Sequence, residues 1–117
     1  MNTFKAFRIH DAAGKISARF EDLTVEALTP GEVVIDVQYS GINYKDALAA
    51  TGAGRILRTY PLVGGIDLAG RVKASQDSRY SPGDAVLVTG CGLSETFDGG
   101  YAEVARVKAD SVPIRSL

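Results

Sequence analysis

Apolar and polar positions alternate with a period of two along much of this chain. Phe4 to His10 reads as a first strand and Ala12-Ala13-Gly14-Lys15 as a turn. Ile16, Ala18 and Phe20 then alternate with Ser17, Arg19 and Glu21, as a half-buried partner strand would. Pro30-Gly31 predicts a second turn, because proline fixes φ and glycine then permits a positive one. The clearest strand follows over Glu32 to Tyr39. Its residues Val33, Ile35, Val37 and Tyr39 share one face, and Asp36 and Gln38 mark the other as partly wet. Gly41 ends it.

From Asn43 the period changes. Tyr44, Ala47 and Leu48 form a helical stripe that Thr51-Gly52-Ala53-Gly54 stops after about two turns. The later chain returns to strands: Asp67 to Ala74, Ala85 to Thr89 after the turn Ser81-Pro82-Gly83-Asp84, and Gly100 to Val107 after a loop from Gly90 to Gly99. Twelve of the thirteen glycines lie at or after residue 31, so turns dominate that part. Short strands punctuated by Gly and Pro, with little helix and no internal repeat, predict a mainly β barrel or sandwich.

A chain of 117 residues suits one domain with a true core. Its net charge of −1 is spread over 13 basic and 14 acidic residues, so no basic patch points to nucleic acid. No apolar run approaches the roughly 18 residues of a membrane span. The N-terminus carries charges where a signal peptide needs an apolar stretch, and a cytoplasmic location is expected. The single cysteine, Cys91, excludes an internal disulfide framework, and nothing nearby in sequence would activate it. Cys91 and the single histidine, His10, cannot build a zinc site of those ligand types within the chain. His10 has no evident partner and receives no role.

A dinucleotide-binding fingerprint is also missing. Gly-x-Gly occurs at Gly52/Gly54 and Gly90/Gly92, but Leu57 and Glu95 stand where the third glycine belongs, and neither pair joins a buried strand to a full helix.

Four segments carry a resemblance. They are Gly41-Ile42-Asn43-Tyr44-Lys45-Asp46, Tyr60-Pro61-Leu62-Val63-Gly64-Gly65-Ile66-Asp67-Leu68-Ala69-Gly70, Ser81-Pro82-Gly83-Asp84-Ala85-Val86, and Asp98-Gly99-Gly100-Tyr101-Ala102-Glu103. In that order and at that spacing they resemble the N-terminal domain of the medium-chain dehydrogenase/reductase superfamily. The first two are most similar to its zinc-independent acryloyl-CoA reductase branch, whose members often carry the label quinone oxidoreductase. The resemblance covers essentially the whole chain.

It implies a GroES-like, partly open β-barrel with one or two short helices over residues 1–117, the catalytic domain of a larger enzyme. The Rossmann domain that would bind NADPH is absent from these residues, as is the return of the chain that completes the barrel. Zinc-containing relatives place a cysteine where this chain has Asn43, and Gly-His-Glu where it has Gly65-Ile66-Asp67. An amide and an aliphatic side chain cannot replace thiolate and imidazole as zinc ligands, so no zinc is expected. Hydrogen-bond donors must then polarise the substrate carbonyl.

The implied reaction delivers hydride from NADPH to the β-carbon of an enoyl thioester or a quinone, followed by protonation at the α-carbon. Asn43 and Tyr44 are the expected catalytic residues, and with Lys45 they also contact the cofactor. Asn43 would donate its amide to the carbonyl oxygen or the cofactor. Tyr44, a phenol with an ordinary pKa of about 10, holds its proton at pH 7 and would donate it or bind the nicotinamide ribose. Asp46 and Asp67 would orient neighbours, and Arg55 and Arg58 would meet CoA or cofactor phosphates.

Each of these residues also has an ordinary structural use. Asn43 suits a helix cap, Tyr44 the apolar stripe, and Asp46 the first helical turn. Asp67 suits a structural hydrogen bond or an ion pair with Arg71, and Arg55 and Arg58 suit a solvated loop. The rival is a stand-alone GroES-like binding or assembly module. An incomplete barrel would also leave a strand edge able to pair with a second copy. The 117 residues alone are expected to be inactive.

Overall fold

The structure is a computed structural model that describes residues 3–41, 60–90, 92–94 and 97–112. Among the described residues, seven strands, all paired antiparallel, form two sheets: β1 (Phe4–Ala12), β2 (Lys15–Leu23), β3 (Val33–Tyr39), β4 (Leu62–Val63), β5 (Asp67–Ser75), β6 (Ala85–Thr89) and β7 (Val104–Val107). The smaller sheet has the order β2-β1-β4 and the larger β6-β5-β3-β7. Short 3-10 turns lie at Val25–Ala27 and Ala109–Ser111. The helix expected from Asn43 lies outside the described residues.

β1 and β2 are longer than the sequence pattern suggests because their turn is tight. Ala13 and Gly14 both take positive φ, +55° and +87°, the geometry that matches the twist of a two-residue hairpin. Asp11 Oδ1 accepts the Gly14 N–H at 2.8 Å, which offsets part of the cost of Ala13. Ladder pairing therefore runs without interruption from Phe4↔Leu23 to Ala12↔Lys15.

The core follows the alternation of β3, whose Val33 and Ile35 are buried on one face while Val34 is partly buried on the other. Val33 and Ile35 join Leu68, Val72, Val86, Val88, Ala105 and Val107 in the principal cluster. Val34, on the other face, packs with Phe4, Ala6, Leu23, Leu28, Val63 and Val104. Two expectations of burial fail. Tyr39 is 77% exposed and Phe20 73% exposed, since each carries the alternation past the point where another layer packs against it. Phe20 instead rests against Phe7, ring centroids 5.2 Å apart.

The sheets are joined by residues 99–103, where a regular strand from Gly100 was expected. Only Val104–Val107 is a strand. The preceding residues bend because they serve partners on both sides. Phe7 donates to the Tyr101 carbonyl at 2.7 Å and Glu103 to the Lys5 carbonyl at 2.9 Å, while Val37 donates to the Glu103 carbonyl at 2.9 Å. Asp98, only 4% exposed, fastens the start of this segment. Its Oδ1 accepts from Val63 N–H and its Oδ2 from Thr29 N–H, both at 2.8 Å, and its own N–H donates to Thr29 Oγ1 at 3.0 Å. Two-residue β4 is too short for any periodicity to reveal.

The hairpin also carries a charge cluster. Arg8 and Arg19 are register partners, and like charges directly opposite each other repel. Glu21 lies between them, 3.3 Å from Arg8 Nη1 and 3.1 Å from Arg19 Nε, and it also meets His10 Nε2, the partner that sequence did not supply. Burial pushes the Glu21 carboxyl up, but hydrogen bonds from His10 and Arg8 and their charges outweigh it, so its pKa lies below the ordinary 4.5. A depressed folded-state pKa means that folding favours the carboxylate. The resulting stability is complete above about pH 4.5 and is lost as pH falls through the lower folded value. Glu21→Gln should therefore lower the urea midpoint at pH 6, with the gap from wild type narrowing at pH 3. An equal gap at both pH values would refute this account of the cluster.

Candidate active site

The wall of the site is built where β3 ends and β5 begins. Ser40 and Gly41 leave β3 beside Asp67. Ser40 Oγ donates to the Asp67 carbonyl at 2.9 Å, and the Gly41 N–H donates to Asp67 Oδ1 at 2.8 Å. A carboxylate acceptor makes the second bond the stronger type. From the opposite side, the Tyr101 hydroxyl donates to the Gly41 carbonyl at 2.9 Å. Both backbone groups of Gly41 are thus held although the residue is exposed. A Cβ at Gly41 would stand 3.2 and 3.3 Å from the two Asp67 carboxylate oxygens, so the absence of a side chain keeps this approach open.

Behind the wall, two backbone segments press together without intervening side chains. Gly99 donates to the Val63 carbonyl at 2.9 Å, Gly100 to the Gly65 carbonyl at 3.0 Å and Tyr101 to the Gly64 carbonyl at 2.9 Å. A Cβ on Gly99 would fall on the carbonyl oxygens of Gly65 and Gly64, and one on Gly100 on the Asp67 carbonyl. Gly65, at φ +97°, lies where an added Cβ would come within 2.8 Å of the Tyr101 ring. The Tyr101 ring fills the space so left and meets Phe7 edge-on at 6.4 Å.

Among the predicted site residues, Asp67 lies within the described structure, and its carboxylate turns to the Gly41 backbone. Arg71 does not serve as its ion-pair partner. Four residues along an extended strand separate the two by roughly 13 Å, and Arg71 Nη1 donates to the Gly83 carbonyl at 2.9 Å. Asn43, Tyr44, Lys45, Asp46, Arg55, Arg58 and Cys91 lie outside the described residues. Gly41, two positions before Asn43, is joined directly to Asp67.

The sequence reading included Ser40 in the stretch Ser40 to Asp46, and Asp98 and Tyr101 in a segment of the resemblance, but gave none of the three a role of its own. The signal was present in the run Asp98-Gly99-Gly100-Tyr101, since adjacent glycines in a strand-like stretch mark close backbone approach. Among the described residues, no group of three or more His, Cys, Asp and Glu side chains is placed to hold a metal ion. Ile66, at one zinc-ligand position of the resemblance, offers only an aliphatic side chain, and its carbonyl accepts from Gly90 N–H at 2.8 Å. No helix among the described residues is long and apolar enough to cross a membrane.

Comparison with known proteins agrees with this architecture. Residues 29–115 match the family described as alcohol dehydrogenase GroES-like domain. The chain is 46% identical over 106 residues to the probable acrylyl-CoA reductase AcuI of Escherichia coli, covering 91% of this chain and 33% of that protein. Its fold superposes on the NADP complex of the YhdH oxidoreductase from Salmonella enterica with a TM-score of 0.88 and 46% identity, over 92% of this chain and 33% of the other. Bacillus subtilis YhfP with NAD bound gives a TM-score of 0.89 at 40% identity, over 96% and 34%. The chain spans about a third of the length of the curated relatives it matches.

The glycine seam makes a direct prediction. Gly99→Ala should destabilise the fold by about 1–3 kcal/mol, the usual cost of overpacking a site that cannot yield. Urea unfolding would measure it, and an unchanged midpoint would show that the seam is looser than the structure describes.

Proposed function

Because this chain belongs to the alcohol dehydrogenase GroES-like domain family, we propose that it is the catalytic-domain portion of a zinc-independent, NADPH-dependent oxidoreductase. Its substrate is an activated C=C bond, foremost in an acryloyl-CoA-type enoyl thioester and secondarily in a quinone. One observation carries the reading: Ser40 and Gly41, which lead into Asn43-Tyr44-Lys45-Asp46, are hydrogen-bonded to Asp67 of the Gly-Ile-Asp segment. The names and bound nucleotides of the similar proteins support the same assignment.

The donor set suits a nicotinamide nucleotide. An amide, a phenol and an ammonium occupy three consecutive positions, Asn43 to Lys45, and they follow an exposed Gly41. When bound, NADPH would supply the hydride that adds to the β-carbon. Asn43 is assigned to the carbonyl oxygen, where negative charge develops as that bond forms, and an amide N–H aimed there lowers the barrier without a metal. Tyr44 is assigned a proton-donating or ribose-binding hydroxyl, and Lys45 a cofactor contact. Arg55 and Arg58 are assigned to phosphate groups of the CoA moiety or the cofactor. Asp46 and Asp67 orient the backbone and side chains around them.

The test uses the full-length protein with acryloyl-CoA and NADPH. Asn43→Ala should lower kcat by about a hundredfold, the scale for loss of one oxyanion donor. Tyr44→Phe should lower it by about tenfold, the lower scale for a positioned proton donor. Exhaustive dialysis against a chelator should leave the wild-type rate unchanged, and the 117-residue stretch alone should be inactive. Unchanged turnover in both variants would overturn the residue assignment, and loss of activity on chelation would overturn the metal-free reading.

A further inference from the structure

We propose that Tyr101 is a positioning residue of this site, its hydroxyl setting the path of the backbone that enters Asn43 and Tyr44. The catalytic half of this inference rests on the function proposed above; the positional half stands on geometry. Tyr101 lies 60 residues from Gly41 in sequence, yet its hydroxyl donates to the Gly41 carbonyl at 2.9 Å. That carbonyl belongs to the peptide group joining Gly41 to Ile42. A peptide group is planar, so a hydrogen bond to its oxygen restrains the plane from which the chain leaves Gly41. The preceding peptide group is set independently by Gly41 N–H to Asp67 Oδ1 at 2.8 Å. Two consecutive planes are therefore held from two different segments.

Tyr101 is itself anchored well enough to act as a reference point. Its N–H donates to the Gly64 carbonyl at 2.9 Å, and its carbonyl accepts from Phe7 N–H at 2.7 Å. Its ring occupies space that side chains at Gly64 or Gly65 would fill, with closest approaches of 3.2 and 2.8 Å to their would-be Cβ atoms. The ring alone accounts for this packing, and phenylalanine would supply it. The hydroxyl does something else. It reaches an exposed carbonyl that water would satisfy equally well, so it adds little to stability and much to direction.

The experiment compares wild type with Tyr101→Phe in the full-length protein by three readouts: thermal melting, amide hydrogen exchange over residues 42–46, and steady-state kinetics with acryloyl-CoA and NADPH. The variant should melt within a few degrees of wild type. Its exchange over residues 42–46 should speed up by about tenfold while β5 stays protected. Its kcat should fall by about tenfold with KM nearly unchanged, the signature of lost orientation. Unchanged exchange over residues 42–46 overturns the proposal whatever the activity. Faster exchange with an unchanged kcat overturns its catalytic half. If wild type reduces none of these substrates, the functional reading fails, and the exchange data alone decide whether Tyr101 sets this backbone.

Discussion

The structure depends on one close contact between backbones. Residues 63–65 and 99–101 lie against each other with glycine on both sides, and no side chain fits between them. Three N–H···O=C bonds close this seam, and the buried Asp98 carboxylate extends it to Thr29. Since residues 99–103 also pair with β1 and β3, the seam is where the two sheets become one domain. The cost is entropic, because glycine loses more freedom on folding than other residues. The gain is a rigid wall beside which Ser40, Gly41 and Asp67 meet.

The wall gives the proposed site its anchor points. Asp67 spends one carboxylate oxygen on a backbone N–H, which makes it an anchor for the segment ahead of Asn43. Tyr101 projects from the seam to the next carbonyl. On the metal-free reading proposed above, with Asn43 and Ile66 at the zinc positions, such anchoring would take on the orienting work that a metal does in zinc-containing relatives. Hydrogen-bond donors stabilise developing charge only if they are aimed beforehand, and the backbone is what aims them.

Much of the fold is legible in the sequence. The pattern at Ala85–Thr89 coincides with β6, and that at Asp67–Ala74 falls one residue short of β5. Alternation identifies a strand and divides its faces, but it does not say how far a covering layer extends, which is why Tyr39 and Phe20 are exposed. Residues 100–103 look like a strand because their pattern allows it; service to two sheets bends them. The resemblance found the segments that meet, because their order and spacing are sequence properties. The partners were not legible. Glu21 reaches His10 across a hairpin register, and Asp67 reaches Gly41 across 26 residues. Neither follows from local pattern.

The most direct measurement follows the hydride itself. The full-length protein would be incubated with acryloyl-CoA and NADPH deuterated at its transferable position, and the product analysed by mass spectrometry and NMR. The account predicts propionyl-CoA with one deuterium at the β-carbon and a solvent-derived proton at the α-carbon. Deuterium at the α-carbon, or no reduced thioester at all while the protein binds the nucleotide, would contradict it.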